Sequence, residues 1–412
     1  MEDDVVVLGE AFEQGGVVEH EGGVEDEAGI VRKALGCPVD SETLAGLAKG
    51  RRKITVITSD HTRPLPSHIT LPLMLSELRE GNPDAEITIL VATGLHRETT
   101  AEELEYKFGK RLLETERFVI HHASVASDNV PIGATSNNRR LLINRVAYEA
   151  DLLIAEGFIE PHFFAGFSGG PKSILPGIAD AQSICANHCA HLINHPCAKT
   201  GVIEGNPIYA EMLEAARLAK LAFILNVVLD EDKKIIAAFA GNPETTHLKG
   251  CAMVNKMLCV EARKADIVIV SNGGYPLDQN IYQTVKGMTA AQASCSENGV
   301  IIVLSECCDG YGSDNFYRFF DGKESIDSMY GKILETSPED TEVDQWEAQI
   351  LLQILQKHAV ILVSSVPKDI VEVFRMHHAF SFEEAYQMAK DIVHKPNPTV
   401  TVIPNGVSII IK

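Results

Sequence analysis

Two Rossmann-like α/β domains with largely parallel sheets are predicted for this chain, and three observations carry the expectation. Short runs rich in β-branched residues recur with helical or loop segments between them, at 54–57, 87–91, 118–120, 152–155, 267–270, 301–304 and 360–363. Near-continuous apolar runs of this kind suit strands covered on both faces by helices, the arrangement of parallel sheets. At 412 residues the chain is too long for one ordinary core, so it divides. A short internal echo points the same way: residues 151–156 followed by 177–185 resemble 266–271 followed by 287–295, with Asp151 matching Asp266 and Gly177 matching Gly287.

The first domain is expected over 1–262 and the second over 263–412, the polar helix 245–263 leading into a strand at Asp266. Residues 1–31 hold ten acids and no Lys or Arg, which predicts a solvated, mobile arm with one short strand at 5–8. The C-terminal stretch 399–411, alternating and then apolar around Asn405 and Gly406, predicts a closing hairpin.

Composition excludes several classes. A net charge of -21 argues against nucleic acid and anionic membrane, which both demand a positive field. No stretch approaches the roughly 20 apolar residues of a membrane span. Met1 is followed by Glu2, Asp3 and Asp4 where a secretory signal needs a basic segment, so none is expected. Nine cysteines, an odd count without a Cys-x-x-Cys pair, suit a reducing cytoplasm.

Polar groups at strand ends are the candidates for chemistry, because open α/β sheets place ligands at their carboxyl edges. After the first strand comes Ser59-Asp60-His61-Thr62-Arg63-Pro64, with Arg63 placed to hold a carboxylate through its two-pronged guanidinium. The next strand ends in Ala92-Thr93-Gly94-Leu95-His96, where His96 is a candidate acid or base. His68, His121 and His122 read as structural.

The run 156–172 is the richest, with His162, glycines at 166, 169 and 170, Pro171 and Lys172. Its glycines let backbone N–H groups approach an anion, Pro171 suits the first turn of a helix whose dipole would help, and Lys172 reads as a covalent attachment point or a phosphate clamp. Further on, His188, His191 and His195 are spaced to share one helical face. Side chains two turns apart diverge, so at most one of them is expected to bind a metal, the others lying partly exposed. In the second half, Tyr282 and Lys286 fall four apart on a helix with Gln283 beside them, and Trp346 opens another helical pattern. The dinucleotide glycine fingerprint, the Walker lysine loop, the nucleophile elbow and the His-Glu-x-x-His helix do not occur.

Together, Asp60 to Pro64, Gly94 to Glu98, the run from Glu156 to Lys172 with Leu175-Pro-Gly177, His188, Gln283 with Lys286, and Trp346 resemble the nickel-pincer lactate racemase family. The resemblance spans about residues 50–350, with its motifs in order. It implies two α/β domains whose cleft holds nickel and a pyridinium-3-thioamide-5-thiocarboxylic acid mononucleotide joined covalently to Lys172. It implies His188 as the protein's nickel ligand, His96 and His162 as the acid/base pair, and Arg63 as the grip on a substrate carboxylate. Asp60, His61, Thr62 and Arg63, with Gln283 and Lys286, would line the cofactor and substrate pocket, walled by Tyr282 and Trp346.

The family's activity is racemisation of a small 2-hydroxy acid, lactate by default, through hydride transfer and a transient 2-oxo acid. Its cofactor implies partner enzymes that insert sulfur and nickel. The C–H bond of a 2-hydroxy acid is poorly acidic, so hydride transfer is the easier route, and inversion at one carbon asks for a base on each side. His61 is polar where the family more often carries an apolar residue. Two rivals are a zinc metallohydrolase built on His96, His162 and His188, and a non-catalytic carrier of the nickel cofactor, which has no need of two bases.

Overall fold

The structure, a computed structural model, describes residues 5–8 and 26–412. Its described residues fall into two compact units that are not contiguous in sequence: one drawn from Glu19–Asn187 and Val202–Val254, the other from Met1–Val18, His188–Gly201 and Asn255–Lys412. The segment His188–Gly201 therefore belongs with the C-terminal residues, which a division by sequence position alone does not express.

The first unit is built on a six-stranded sheet in the order Ile235–Gly241, Leu221–Leu229, Leu152–Phe158, Lys53–Ser59, Glu86–Ala92, Arg117–Ile120. All neighbours are parallel except the antiparallel edge pair Leu221–Leu229 and Ile235–Gly241. Lys53–Ser59 and Glu86–Ala92 are each buried over five consecutive residues, which is why they read as unbroken β-branched runs. The helix Ser67–Gly81 covers them with Leu71, Met74 and Leu78, all fully buried. Truncating one of these to Ala costs about 2–5 kcal/mol.

The second unit carries a wholly parallel six-stranded sheet, in the order Val5–Val7, Val400–Ile403, Ala265–Ser271, Cys295–Leu304, Ala359–Val363, His377–Ala379. The short strand expected at 5–8 is present as Val5–Val7. All seven strands read from the sequence lie in these two sheets. The internal echo has a physical counterpart: Asp151 accepts the backbone N–H groups of Arg52 and Lys53, and Asp266 that of Thr399. Each aspartate thus pins the start of a neighbouring parallel strand.

Two expectations are corrected. Residues 399–411 form no hairpin: Val400–Ile403 inserts between Val5–Val7 and Ala265–Ser271, and Ile410–Ile411 pairs in parallel with Cys259–Val260. The Asn405 side chain accepts the N–H groups of Val407 and Ser408, and Gly406 donates to Ser271, so local side-chain bonding replaces the expected tight turn. Of the acidic arm, residues 27–31 are helical, because Asp26 caps Glu27–Gly36 by accepting the Gly29 N–H at 2.6 Å, and Val31 and Leu35 are buried. The remainder of the arm, apart from 5–8 and Asp26, lies outside the described residues.

Candidate active site

Three neighbouring parallel strands of the first unit, Leu152–Phe158, Lys53–Ser59 and Glu86–Ala92, deliver the expected residues from their carboxyl ends. Asp60, 1% exposed, receives the His96 ring at 2.7 Å from Nδ1 to Oδ2, while its Oδ1 accepts the N–H and hydroxyl of Thr62 at 3.1 and 2.6 Å. Burial alone would raise the Asp60 pKa, but the hydrogen bond to His96 and the charges of His96 and Arg63 hold it well below the usual carboxylate range. An ionised carboxylate only accepts, so the proton lies on His96 Nδ1 and the lone pair of the neutral ring on Nε2. That ring is 45% exposed, open to a ligand.

Arg63 is half-buried, and among the described residues no side chain pairs with its guanidinium; it acts on Asp60 through charge alone. Such a cation is available for an anion. His61 points its bonding elsewhere, Nδ1 lying 3.1 Å from Thr99 Oγ1 and Nε2 3.7 Å from Glu103. Its pKa is lowered, chiefly by burial, against the opposing charges of Asp60 and Glu103.

The glycine-rich run meets the His96 loop directly, Gly94 N–H donating to Gly177 O at 3.0 Å. Gly169 and Gly170 sit at φ 84° and 53°; a Cβ on the first would come 2.8 Å from Phe158 O, and one on the second would strike the His247 ring. Asn226 Oδ1 accepts Gly170 N–H at 2.8 Å and His247 Nε2–H donates to Ser168 O at 2.9 Å, so buried polar groups brace the turn from behind. The helix expected after Pro171 is only the 3₁₀ turn Gly170–Ser173, too short for a useful dipole. Lys172 is half-buried in that turn.

His162 ends the two-residue strand Pro161–His162, paired with Gly166–Phe167. Its Nδ1 accepts the Ala165 N–H at 3.3 Å, which in the neutral ring leaves Nε2 as the donor. Phe163 stacks on the ring at 5.0 Å, and Phe164 meets it edge-on at 4.6 Å.

In the second unit His188 is buried, with its ring 5.0 Å from that of Trp346 in edge-on contact. The three histidines share no helical face: the helix Ala181–Asn187 ends at His188, and a new one, Ala190–Ile193, starts beyond it. His191 is exposed and His195 half-buried. Among the described residues no three His, Cys, Asp or Glu side chains gather as a metal nest.

Helix Ile281–Ser294, capped by Asn280, carries Tyr282, Gln283 and Lys286, and Lys286 Nζ donates to Gln283 Oε1 at 2.5 Å. Burial and the charges of Glu347 and Asp344 push the Tyr282 pKa well above its ordinary value, while its hydroxyl meets Trp346 and Asp344.

Sequence reasoning missed Glu347, 1% exposed beside Trp346, whose carboxyl burial pushes up against the pull of Lys286. It also missed Lys107, Asn226 and His247. In a linear reading a Glu or Lys on a helix is a solvated residue; adjacency to Trp346 was the one available hint for Glu347.

Comparison with known proteins fits this geometry. Residues 13–201 match the lactate racemase N-terminal domain and residues 260–411 the lactate racemase C-terminal domain. The chain belongs to the lactate racemase family. It is 52% identical over 387 residues to the lactate racemase of Thermoanaerobacterium thermosaccharolyticum, covering 94% of this chain and 91% of that protein. It is 48% identical over 388 residues to that of Lactiplantibacillus plantarum, with the same coverages. The T. thermosaccharolyticum lactate racemase apoprotein structure superposes with a TM-score of 0.93, over 94% of this chain and 93% of that one. A Thermotoga maritima crystal structure, 19% identical, matches at 0.66 over 94% and 98% and shares the fold. Lactate racemases are isomerases, and this chain is a family member over nearly its whole length.

Proposed function

We propose that this protein racemises a 2-hydroxy acid, with lactate as the first substrate to test, using a nickel-pincer pyridinium mononucleotide attached to Lys172. The Asp60–His96 pair carries the reading: a carboxylate kept ionised at 2.7 Å orients an exposed imidazole as a base, near the cation Arg63, with which no described side chain pairs. The residues fit the cofactor. Gly169 and Gly170 leave space where any Cβ would collide, and Lys172 follows at the turn. His188 offers a buried imidazole, a donor that suits nickel. When bound, that group supplies the acceptor for the hydrogen on the substrate's chiral carbon.

The chain's own residues supply the rest. Arg63 grips the substrate carboxylate with two parallel N–H bonds. His96 Nε2 takes the hydroxyl proton of the enantiomer that faces it, and Asp60 stabilises the resulting imidazolium. His162, on another loop, serves the opposite enantiomer. In the second unit Tyr282, Gln283, Lys286 and Trp346 are the candidates for contact with cofactor and substrate; in the first, His61 and Thr62 adjoin Arg63 in sequence. Enzymes that insert sulfur and nickel are the implied partners, and a cytoplasmic setting suits cysteines held as thiols. Among the described residues no helix is long and apolar enough to cross a membrane.

The decisive experiment is mass spectrometry of the Lys172 peptide, with nickel quantified, on protein made alongside the cofactor-building enzymes. A mononucleotide-sized adduct with near-stoichiometric nickel is expected. An unmodified lysine under conditions that mature a known lactate racemase would overturn the reading.

A further inference from the structure

Lys107, in the last turn of the helix Ala101–Phe108, is a lysine with only 8% exposure. Its Nζ donates to Arg63 O at 2.8 Å and reaches Leu65 O at 3.4 Å. A buried ammonium is costly unless it is bonded and balanced. Burial lowers the Lys107 pKa to about 8, and the charges of Glu156 and Asp60, both nearly fully buried, oppose that loss.

Glu156 has its own bonds. Oε1 accepts the hydroxyls of Thr58 and Ser67 at 2.6 Å each, and Oε2 that of Thr70. One carboxylate therefore ties the strand before the 59–66 loop to the helix after it, and Lys107 ties the middle of that loop down. The Asp60 end is separately fixed by the Thr62 bonds and by Arg63 N–H donating to Asp60 O at 3.3 Å. A cation bonded to two loop carbonyls, one of them Arg63's own, braces that arginine's backbone.

We propose that Lys107 is a positioning residue for Arg63: by binding the Arg63 and Leu65 carbonyls, it fixes the backbone from which the guanidinium reaches the substrate carboxylate. Lys107 touches no substrate. Its effect falls on substrate binding more than on the chemical step, since the Asp60–His96 pair keeps its own supports. The inference rests on Arg63 being the carboxylate grip.

The test is Lys107→Met, which keeps the apolar stem and removes the donor. In the apoprotein, hydrogen–deuterium exchange of amides 60–65 should quicken about tenfold while residues 166–173 stay unchanged. In the cofactor-loaded enzyme KM for lactate should rise about tenfold, with kcat within about threefold of wild type. Unchanged exchange and unchanged KM alongside a lower Tm would make the lysine purely structural and overturn the proposal, as would a fall in kcat at constant KM. Should Lys107→Met fail to fold, Glu156→Gln removes the counter-charge at equal size and should move exchange and KM in the same direction. Arg63→Ala separates the layers: an unchanged KM there would sink the carboxylate-grip reading while faster exchange in Lys107→Met still stood.

Discussion

His96 gives its Nδ1 proton to a buried carboxylate at 2.7 Å, whereas His162 takes a backbone N–H on the same ring atom at 3.3 Å. Both rings leave loops at one sheet edge, yet they are held in opposite senses. The His96 bond is charge-assisted and short, so its tautomer is locked and Nε2 is an acceptor. The His162 bond is neutral and long, between two phenylalanine rings, and presents Nε2 as a donor. On the proposed mechanism each ring accepts a proton from one enantiomer, so His162 is the ring that would give up its bond and change tautomer.

The harshest way to break this comparison is to delete each ring. His96→Gln and His162→Gln should each lower kcat by about 10³-fold, within the range for general acid–base groups, with the Lys172 adduct retained. A chiral assay finding either variant within tenfold of wild type would remove that residue from the acid/base pair. Asp60→Asn comes next and tests the lock on one side only. Losing the carboxylate should cost about 10²-fold in kcat. A kcat within about threefold of wild type would mean that Asp60 does not control His96.

A third expectation concerns rings held neutral for structure. Burial depresses the pKa of His121 and of His247 to about 4, against the ordinary 6.5. The unfolded chain therefore takes up protons between pH 6.5 and 4 that the folded state refuses, and stability falls as pH drops across that window. The loss is at most about 3 kcal/mol per ring. Glu347 has the opposite sign: burial raises its carboxyl pKa, so its contribution falls as pH rises out of the carboxylate range. Denaturant titrations between pH 7 and 4.5 of the protein and of His121→Gln, which lacks one such ring, read the first effect as a difference in slope, and equal slopes would contradict it. The smallest change expected is from His61→Leu, under about threefold in kcat/KM, because His61 bonds Thr99 and Glu103 and leaves the Asp60–His96 pair alone. A larger loss would put His61 in the pocket.

Legibility in the sequence followed the physics of each feature. The seven β-branched runs became strands because burial on both faces demands such residues. Leu221–Leu229 was missed although only Asn226 interrupts its apolar run, and Ile235–Gly241 because its three alanines do not read as strand. The hairpin at 399–411 failed because strand partners are chosen at long range: Val400–Ile403 pairs with residues more than a hundred positions away. The glycines at 169 and 170 spoke for themselves, since φ near 84° and 53° tolerates little else.

By itself the sequence determined the α/β class, the glycine turn before Lys172, and the residue types at the strand ends. Those follow from local periodicity and backbone sterics, which neighbours along the chain decide. Only the tertiary structure decided that Asp60 meets His96, that Gly94 bonds Gly177, that His188–Gly201 joins the C-terminal unit, and that Lys107 and Glu347 are buried. Charge, tautomer and burial depend on groups brought together from distant positions, and no local pattern encodes which distant group arrives.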